Sequence, residues 1–245
     1  MITSTKNEKV KEWRKLHRRK GRTSSETFLV EGHHLVEEAW KSRWPVKEVI
    51  VADGTEVPDW VREFTVESVS TDVFQYLSQT ESPQGIAAVV QMMPGDQWQG
   101  NFLLLIDSIQ DPGNLGTIIR TADAAGVDTI VLGKGTVDLF NDKVLRSTQG
   151  SVFHVPVVHA DLRELLPHLQ GEGFQVLATG LENAVDFKEV QVRKKTAIIL
   201  GNEGAGVGDE LLQLADQTVH IPIYGQAESL NVSVAAGILM YHLRS

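Results

Sequence analysis

A chain of 245 residues, 42% of them hydrophobic, is long enough for one large domain or two small ones and can bury a real core. Cysteine is absent, which excludes a disulfide framework, a thiolate metal site and a cysteine nucleophile, and fits a reducing compartment. The net charge of −9 hides a strong asymmetry: residues 1–22 hold nine basic side chains and two acids, so that segment is +7 and the rest −16. Its cations include Arg14, Lys15, Arg18, Arg19 and Arg22, which suit either phosphate contacts or a solvated helix face. Trp13 and His17 lie four apart and share a helical face that can pack inward. No run reaches the length of a membrane span, and the N-terminus has no apolar signal core. Glu8 and Glu12 argue against a transit peptide.

After the basic segment 1–22, residues 28–30 read as a short strand and 31–40 as a helix carrying Leu35, Val36 and Ala39 inward. A β-branched strand follows at 46–51, closed by Asp53-Gly54, then a helix at 73–77 and a strand at 85–91. Residues 23–91 therefore form a small α/β domain, and 92–101, which break both periodicities, a linker. The run 102–106 is wholly apolar, as in a strand covered on both faces. A helix at 115–125 ends at Gly126, and a strand follows at 128–132. Further strands are expected at 152–158, 175–178, 197–200 and 219–223, with helices at 161–169 and 209–214. The pattern of 102–245 is a parallel-sheet α/β domain.

Three segments carry chemistry. The first runs from Ile106 to Asp123 through Asp111-Pro112-Gly113-Asn114 and Arg120; the second is Leu200-Gly201-Asn202-Glu203-Gly204-Ala205-Gly206. The third begins Ile221-Pro222-Ile223-Tyr224-Gly225 and opens a helix with Ser229-Leu230-Asn231-Val232-Ser233. Ser229 is a plausible N-cap, and the first-turn N–H groups behind it suit a polar ligand. The glycines after residue 200 do not have dinucleotide spacing, too little chain follows them for a Rossmann half, and position 221 is Ile rather than an acid. NAD is therefore not expected. Asp107, Asp111 and Asp123 fall on a strand end, a turn and a helix, and the eight histidines show no ligand spacing beyond His33-His34, so no metal is expected.

In type, order and spacing, these segments resemble the three signature motifs of the SpoU (TrmH-like) RNA methyltransferases of the SPOUT superfamily, over roughly residues 100–245. The segment Arg146-Ser147-Thr148-Gln149-Gly150-Ser151 resembles another family stretch, with Thr148 and Ser151 where Ser and Ala are more usual. The resemblance implies a deep trefoil knot in the parallel-sheet domain and an N-terminal domain similar to RNA-binding ribosomal proteins. It implies S-adenosylmethionine as cofactor, contacted by Gly201, Ile221 and Leu230 with Thr179 and Gly180 beside them. It also implies a catalytic set of Asn114, Arg120, Glu203, Ser229 and Asn231, with Arg146 added to the RNA contacts and Glu203 fixing Arg120 or the substrate hydroxyl.

The expected reaction is methyl transfer to a ribose 2′-hydroxyl. Ribosomal RNA is favoured over transfer RNA because of the N-terminal domain. The rival readings are a transfer-RNA ribose methyltransferase, a base methyltransferase of the same fold, and a non-catalytic RNA-binding or assembly factor. A guanidinium is effectively always protonated, so Arg120 suits orientation and charge stabilisation, with a neighbouring phosphate as a candidate proton acceptor; its literal deprotonation stays open. A cytoplasmic homodimer through the catalytic domain is expected. Apolar residues on several faces of the last helix point to the same pairing.

Overall fold

In the computed structural model, which describes residues 1–93, 95 and 97–244, the β-branched runs near the N-terminus form a four-stranded sheet. The basic segment is an elbow of two helices, α1 (Glu8–Lys15) and α2 (Arg19–Ser25). Arg18 between them is extended, with φ −107° and ψ 137°. A Cβ on Gly21 would lie 2.1 Å from the Lys15 carbonyl oxygen, so only glycine lets α2 approach α1 this closely. Then come β1 (Thr27–Glu31), α3 (His33–Lys41), β2 (Val46–Ala52), β3 (Val66–Val69), α4 (Thr71–Leu77) and β4 (Ile86–Gln91). The sheet order is β1-β4-β2-β3, with β2 and β3 parallel and the other pairs antiparallel. Leu35, Val36 and Ala39 are buried as the periodicity predicts.

The chain divides into two units: Met1–Met93 together with Asp138–Phe153, and 94–137 together with 154–245. The stretch 138–153 thus groups with the N-terminal sheet and not with the rest of 102–245. It holds α6 (Asp142–Thr148) and a 3₁₀ turn (Ser151–Phe153). The strand expected at 152–158 is reduced to β7 (Val157–His159). Pro156 lacks an N–H for a ladder, and Val152 and Phe153 are drawn into an apolar core instead. Phe28 meets Phe140 at 4.4 Å between centroids with the rings tilted by 35°, and Trp44 meets Phe153 edge-on at 5.3 Å.

Arg22 corrects the phosphate-contacting set. Its guanidinium is buried, donates to the Leu16 carbonyl at 2.7 Å and pairs with Asp138 at 2.7 Å. A buried, paired cation holds the fold together and cannot meet RNA phosphates.

The second unit is a seven-stranded, wholly parallel sheet. Its elements are β5 (Phe102–Ile106), α5 (Pro112–Ala125), β6 (Thr129–Leu132), β7, α7 (Leu162–Gly171), β8 (Gln175–Thr179), β9 (Val185–Asp186), β10 (Thr196–Leu200), α8 (Asp209–Leu214), β11 (Gln217–His220) and α9 (Val232–Leu243). The strand order is β7-β6-β5-β10-β8-β11-β9. Every residue of β5, β6 and β10 is buried, which is why these strands read as unbroken runs. Leu162, Leu165, Leu166 and Leu169 of α7 pack with Leu211 of α8 over one side of the sheet. α5 packs against α9.

Part of the segment read as a linker is fixed. Gly95 bridges to Val158, Trp98 meets Phe174 edge-on at 5.3 Å, and Gln99 exchanges bonds of 3.1 and 2.9 Å with the Thr129 hydroxyl. β11 stops at His220 rather than running on to 223, because Pro222 offers no donor and biases the residue before it. Among the described residues, no helix is long and apolar enough to cross a membrane.

His17 closes the joint between α1 and α4, its Nε2 lying 2.8 Å from the Leu77 carbonyl, to which the neutral ring donates. Burial pushes its pKa down, and Arg14 adds to this, while the Leu77 carbonyl, Asp142 and Glu31 oppose it; the net shift is downward. The folded state therefore binds this proton less readily than the unfolded chain. The associated stability is present above the ordinary imidazole value of about 6.5 and is lost as the pH falls through the lower folded value. We expect His17→Gln, which keeps an N–H for Leu77, to lose less melting temperature than the wild type between pH 7 and 5. Parallel pH profiles would contradict this.

Candidate active site at the carboxyl ends of the parallel strands

In a parallel sheet every strand delivers its following loop to the same edge. β5, β10, β8 and β11 are consecutive neighbours, so the segments after Ile106, Leu200, Thr179 and His220 emerge side by side. All three motifs, and Thr179-Gly180, are brought together this way. A Cβ on Gly180 would meet the Thr218 methyl at 2.7 Å, which matches this close lateral packing.

The first motif forms the start of α5. Asp111 is the N-cap, accepting from the Asn114 N–H at 2.8 Å, and Pro112 sits where its missing N–H costs nothing. The helix thus begins three residues earlier than the sequence pattern indicates. Asn114 lies in its first turn and Arg120 in its third, about 9 Å further along the axis. Arg120 is exposed, and among the described residues no hydrogen bond or ion pair holds its guanidinium.

The second motif is a closed loop. Asn202 and Gly206 exchange backbone bonds of 2.9 Å, and the Asn202 side chain accepts from Gly204 and Ala205 while donating to the Ser108 carbonyl at 2.8 Å. Across the loop base, Asp107 accepts from the Gly208 N–H at 2.9 Å. Glu203 then projects toward α5, accepting from the Gln110 and Asp111 N–H groups at 3.2 and 3.1 Å and from the Asn114 amide at 3.1 Å. Partial burial pushes its pKa up, but the Asn114 amide and the backbone donors outweigh it, and the carboxyl sits below the ordinary glutamate value. Of the two partners expected for it, Arg120 is not the one it holds here: its side-chain partner is Asn114.

The third motif supplies Asn231, and here the reading of Ser229 as the helix N-cap is corrected. α9 begins at Val232 and its N-cap is Asn231, whose side-chain oxygen accepts from the Ser233 N–H at 2.9 Å and hydroxyl at 2.6 Å. The Asn231 amide donates to the Asn114 side-chain oxygen at 3.0 Å. Ser229 is exposed and makes no hydrogen bond among the described residues. The donors form a one-way chain, Ser233 to Asn231 to Asn114 to Glu203, which fixes the orientation of both amides. Sequence reasoning missed Asp111, Asn202 and Ser233. Of these, only Asp111 carried a clear signal, a capping residue followed by proline at the first helical position.

The residues present fit an adenosyl cofactor. Among the described residues, 221–230 form no hydrogen bond, so their backbone groups are open to a ligand. Leu181, Ile223, Tyr224 and Leu230 expose apolar surface at the same strand ends, Leu181 and Tyr224 at 81% and 87%. Open backbone polar groups beside uncovered apolar side chains suit a planar base. Among the described residues, no three metal-binding side chains converge.

The cationic side chains assigned to RNA belong to the first unit. Arg14 lies over the Tyr76 ring at 4.3 Å and donates to the Tyr76 carbonyl. Lys15 pairs with Glu12, Arg19 approaches Asp138 at 3.9 Å, and Arg146 pairs with Asp142 at 2.7 Å.

Gly201 is required by the loop itself. A Cβ there would lie 2.1 Å from the Gly206 carbonyl carbon, whereas at Gly204 the nearest atom is 3.7 Å away. We expect Gly201→Ala to cost about 1–3 kcal/mol through backbone displacement, and Gly204→Ala to be within about 0.5 kcal/mol of wild type. Denaturant melts of the two variants check this.

Comparison with known proteins follows the same division. Residues 101–241 match the SpoU rRNA Methylase family, and residues 7–88 match the MRM3-like substrate binding domain. The chain is 52% identical, over 99% of its length and 98% of the relative's, to the 23S rRNA (guanosine(2553)-2'-O)-methyltransferase RlmP of Bacillus subtilis. The AdoMet-bound rRNA methyltransferase from Sinorhizobium meliloti superposes with a TM-score of 0.90 at 32% identity, covering 99% of this chain and 96% of that one. The SpoU methyltransferase AviRb from Streptomyces viridochromogenes, in complex with AdoMet, gives 0.85 at 29%, covering 98% and 97%. A parallel sheet that gathers three ordered motifs at its carboxyl ends, matched along nearly the whole chain, places the protein in the SpoU rRNA methylase family.

Proposed function

We propose that the protein transfers a methyl group from S-adenosylmethionine to a ribose 2′-hydroxyl of ribosomal RNA, and that its target is a guanosine of 23S rRNA, as the name of the Bacillus subtilis relative indicates. The observation that carries this reading is the Glu203–Asn114–Asn231 chain, which joins the three motifs at the strand ends and leaves Arg120 exposed on the same helix as Asn114. Bound S-adenosylmethionine supplies an electrophilic sulfonium methyl. Thr179, Gly180, Gly201, Ile221 and Leu230 stand at the loops that would hold it.

Glu203 is ionised and committed to three donors, so it acts as a positioning carboxylate rather than as the base. It sets the Asn114 amide, and Asn114 with Asn231 orients the ribose. Arg120 binds the 2′-oxygen as negative charge develops there, and holds the adjacent phosphate where it can accept the hydroxyl proton. Positioning of this kind supplies up to about 7–11 kcal/mol in favourable cases. The family's trefoil knot and a cytoplasmic setting belong to the same reading.

The active form is a homodimer. Ala236, Leu239, Met240 and Leu243 of α9 face the core, and the opposite face exposes Val234, Ile238 and Tyr241 at 52%, 37% and 60%. A helix apolar on both faces needs a second cover, and a second copy of the catalytic domain provides it.

Two outcomes are expected. Arg120→Ala abolishes single-turnover methylation of a 23S rRNA transcript at saturating cofactor while cofactor affinity stays within about twofold; Arg120→Lys, which keeps the charge but loses the planar fork, also fails badly. Near-wild-type turnover in Arg120→Ala would overturn the assignment. Ile238→Glu with Tyr241→Glu converts a dimer mass in light scattering to a monomer mass. A wild-type monomer at micromolar concentration would overturn the dimer.

A further inference from the structure

α5 sets an acid within reach of Arg120. Asp123 lies three residues further on, so the two side chains share one face of the helix, and an arginine and a carboxylate at this spacing ordinarily pair. They do not pair here. The Asp123 carboxylate is turned to His154, whose Nδ1 lies 2.8 Å from its Oδ2, and among the described residues it makes no ion pair with Arg120. A carboxylate only accepts, so the His154 Nδ1 carries the hydrogen of this bond.

Helix stability does not account for the acid. Asp123 falls in the last turn of α5, where the helix dipole disfavours negative charge. Its side chain caps nothing, because the helix closes at Gly126 (φ 69°), whose N–H goes to the Ala122 and Asp123 carbonyls. The side chains of Asp123 and His154 are 30% and 38% exposed, and a pair so open to water adds little stability of its own. What the bond fixes is direction. Phe153 and Val155, on either side of His154, are buried, so the backbone that carries the imidazole is anchored.

We propose that His154 is a positioning residue for methyl transfer: it withholds the Asp123 carboxylate from Arg120, so that the guanidinium stays uncommitted until the ribose and its phosphate arrive. Released, Asp123 would compete with the RNA phosphate for the same guanidinium. An exposed pair at this spacing shifts an equilibrium only a few-fold, so Arg120 would be occupied for much of the time rather than always. The inference rests on the methyltransferase reading above and on the role given there to Arg120.

The test is single-turnover methylation of a 23S rRNA transcript by the full chain at saturating cofactor. His154→Ala is expected to lower the rate about two- to sixfold, the factor by which an exposed pair would sequester Arg120. His154→Asn, whose amide can still donate to Asp123, keeps most of the rate. Asp123→Asn removes the competing charge and runs at the wild-type rate. His154→Ala combined with Asp123→Asn recovers that rate, because no carboxylate is left to capture Arg120. S-adenosylmethionine affinity is unchanged in all four. A purely structural tie predicts the reverse, a double variant no faster than His154→Ala, and that result overturns the proposal, as does wild-type turnover in His154→Ala. A second pair leaves His154 untouched. Ala124 is exposed and lies four residues after Arg120. Ala124→Glu offers Arg120 an unclamped acid and is expected to slow the reaction by a similar factor, whereas Ala124→Gln is not; equal rates in these two also overturn the proposal. Failure of the wild-type chain to methylate any RNA overturns the methyltransferase reading instead.

Discussion

Glu203 holds together segments that the chain keeps 89 to 93 residues apart. Its carboxylate takes two backbone donors just before α5 and one amide inside that helix, and burial that would favour the neutral form is more than offset by them. An anion at this position also faces the positive end of the α5 dipole. Once the carboxylate is fixed, Asn114 has one orientation. Its oxygen is then left to receive Asn231, and Asn231 can cap α9 only with its own oxygen. The order of donors is therefore imposed from one end. Replacing the carboxylate by an amide would leave a choice of orientations at every later step.

That chain is possible only because the sheet is parallel. β5, β10, β8 and β11 all point one way, so loops far apart in sequence start within three strand spacings, about 14 Å, of one another. The buried strands cost the protein polar surface on both faces, and their sequences show it as the runs Phe-Leu-Leu-Leu-Ile and Ala-Ile-Ile-Leu. A rigid platform of this kind lets the loops be shaped by a ligand while their anchor points stay fixed.

The same logic separates what the sequence could reveal from what it could not. β5, β10, α3 and α7 were legible because burial on one or both faces leaves a periodic or continuous apolar record. β3 is four residues long and its Val-Glu-Ser-Val has no period to detect. Ser229 and Asn231 have similar capping propensity, and the choice between them was made by a bond to Asn114, 117 residues away. Arg22 is one cation among nine in the basic segment; only a tertiary partner, Asp138, makes it a core residue. The positions of the motif residues were readable, but their partners were not: Glu203 turned to Asn114 because two N–H groups beside the α5 cap needed an acceptor.

The division of the chain into units also bears on how it is made. The N-terminal sheet recruits Asp138–Phe153, and the Arg22–Asp138 pair spans 116 residues. When the first 93 residues have emerged from a ribosome, Phe28, Trp44 and Arg22 still lack Phe140, Phe153 and Asp138. Completion must wait until residue 153 is synthesised, and by then β5, α5 and β6 of the second unit are already present. Folding is consequently interleaved rather than sequential, with long-range closure in both units and a partly open first unit in the interval. An unpaired arginine and an uncovered aromatic cluster are what a chaperone would meet at that stage.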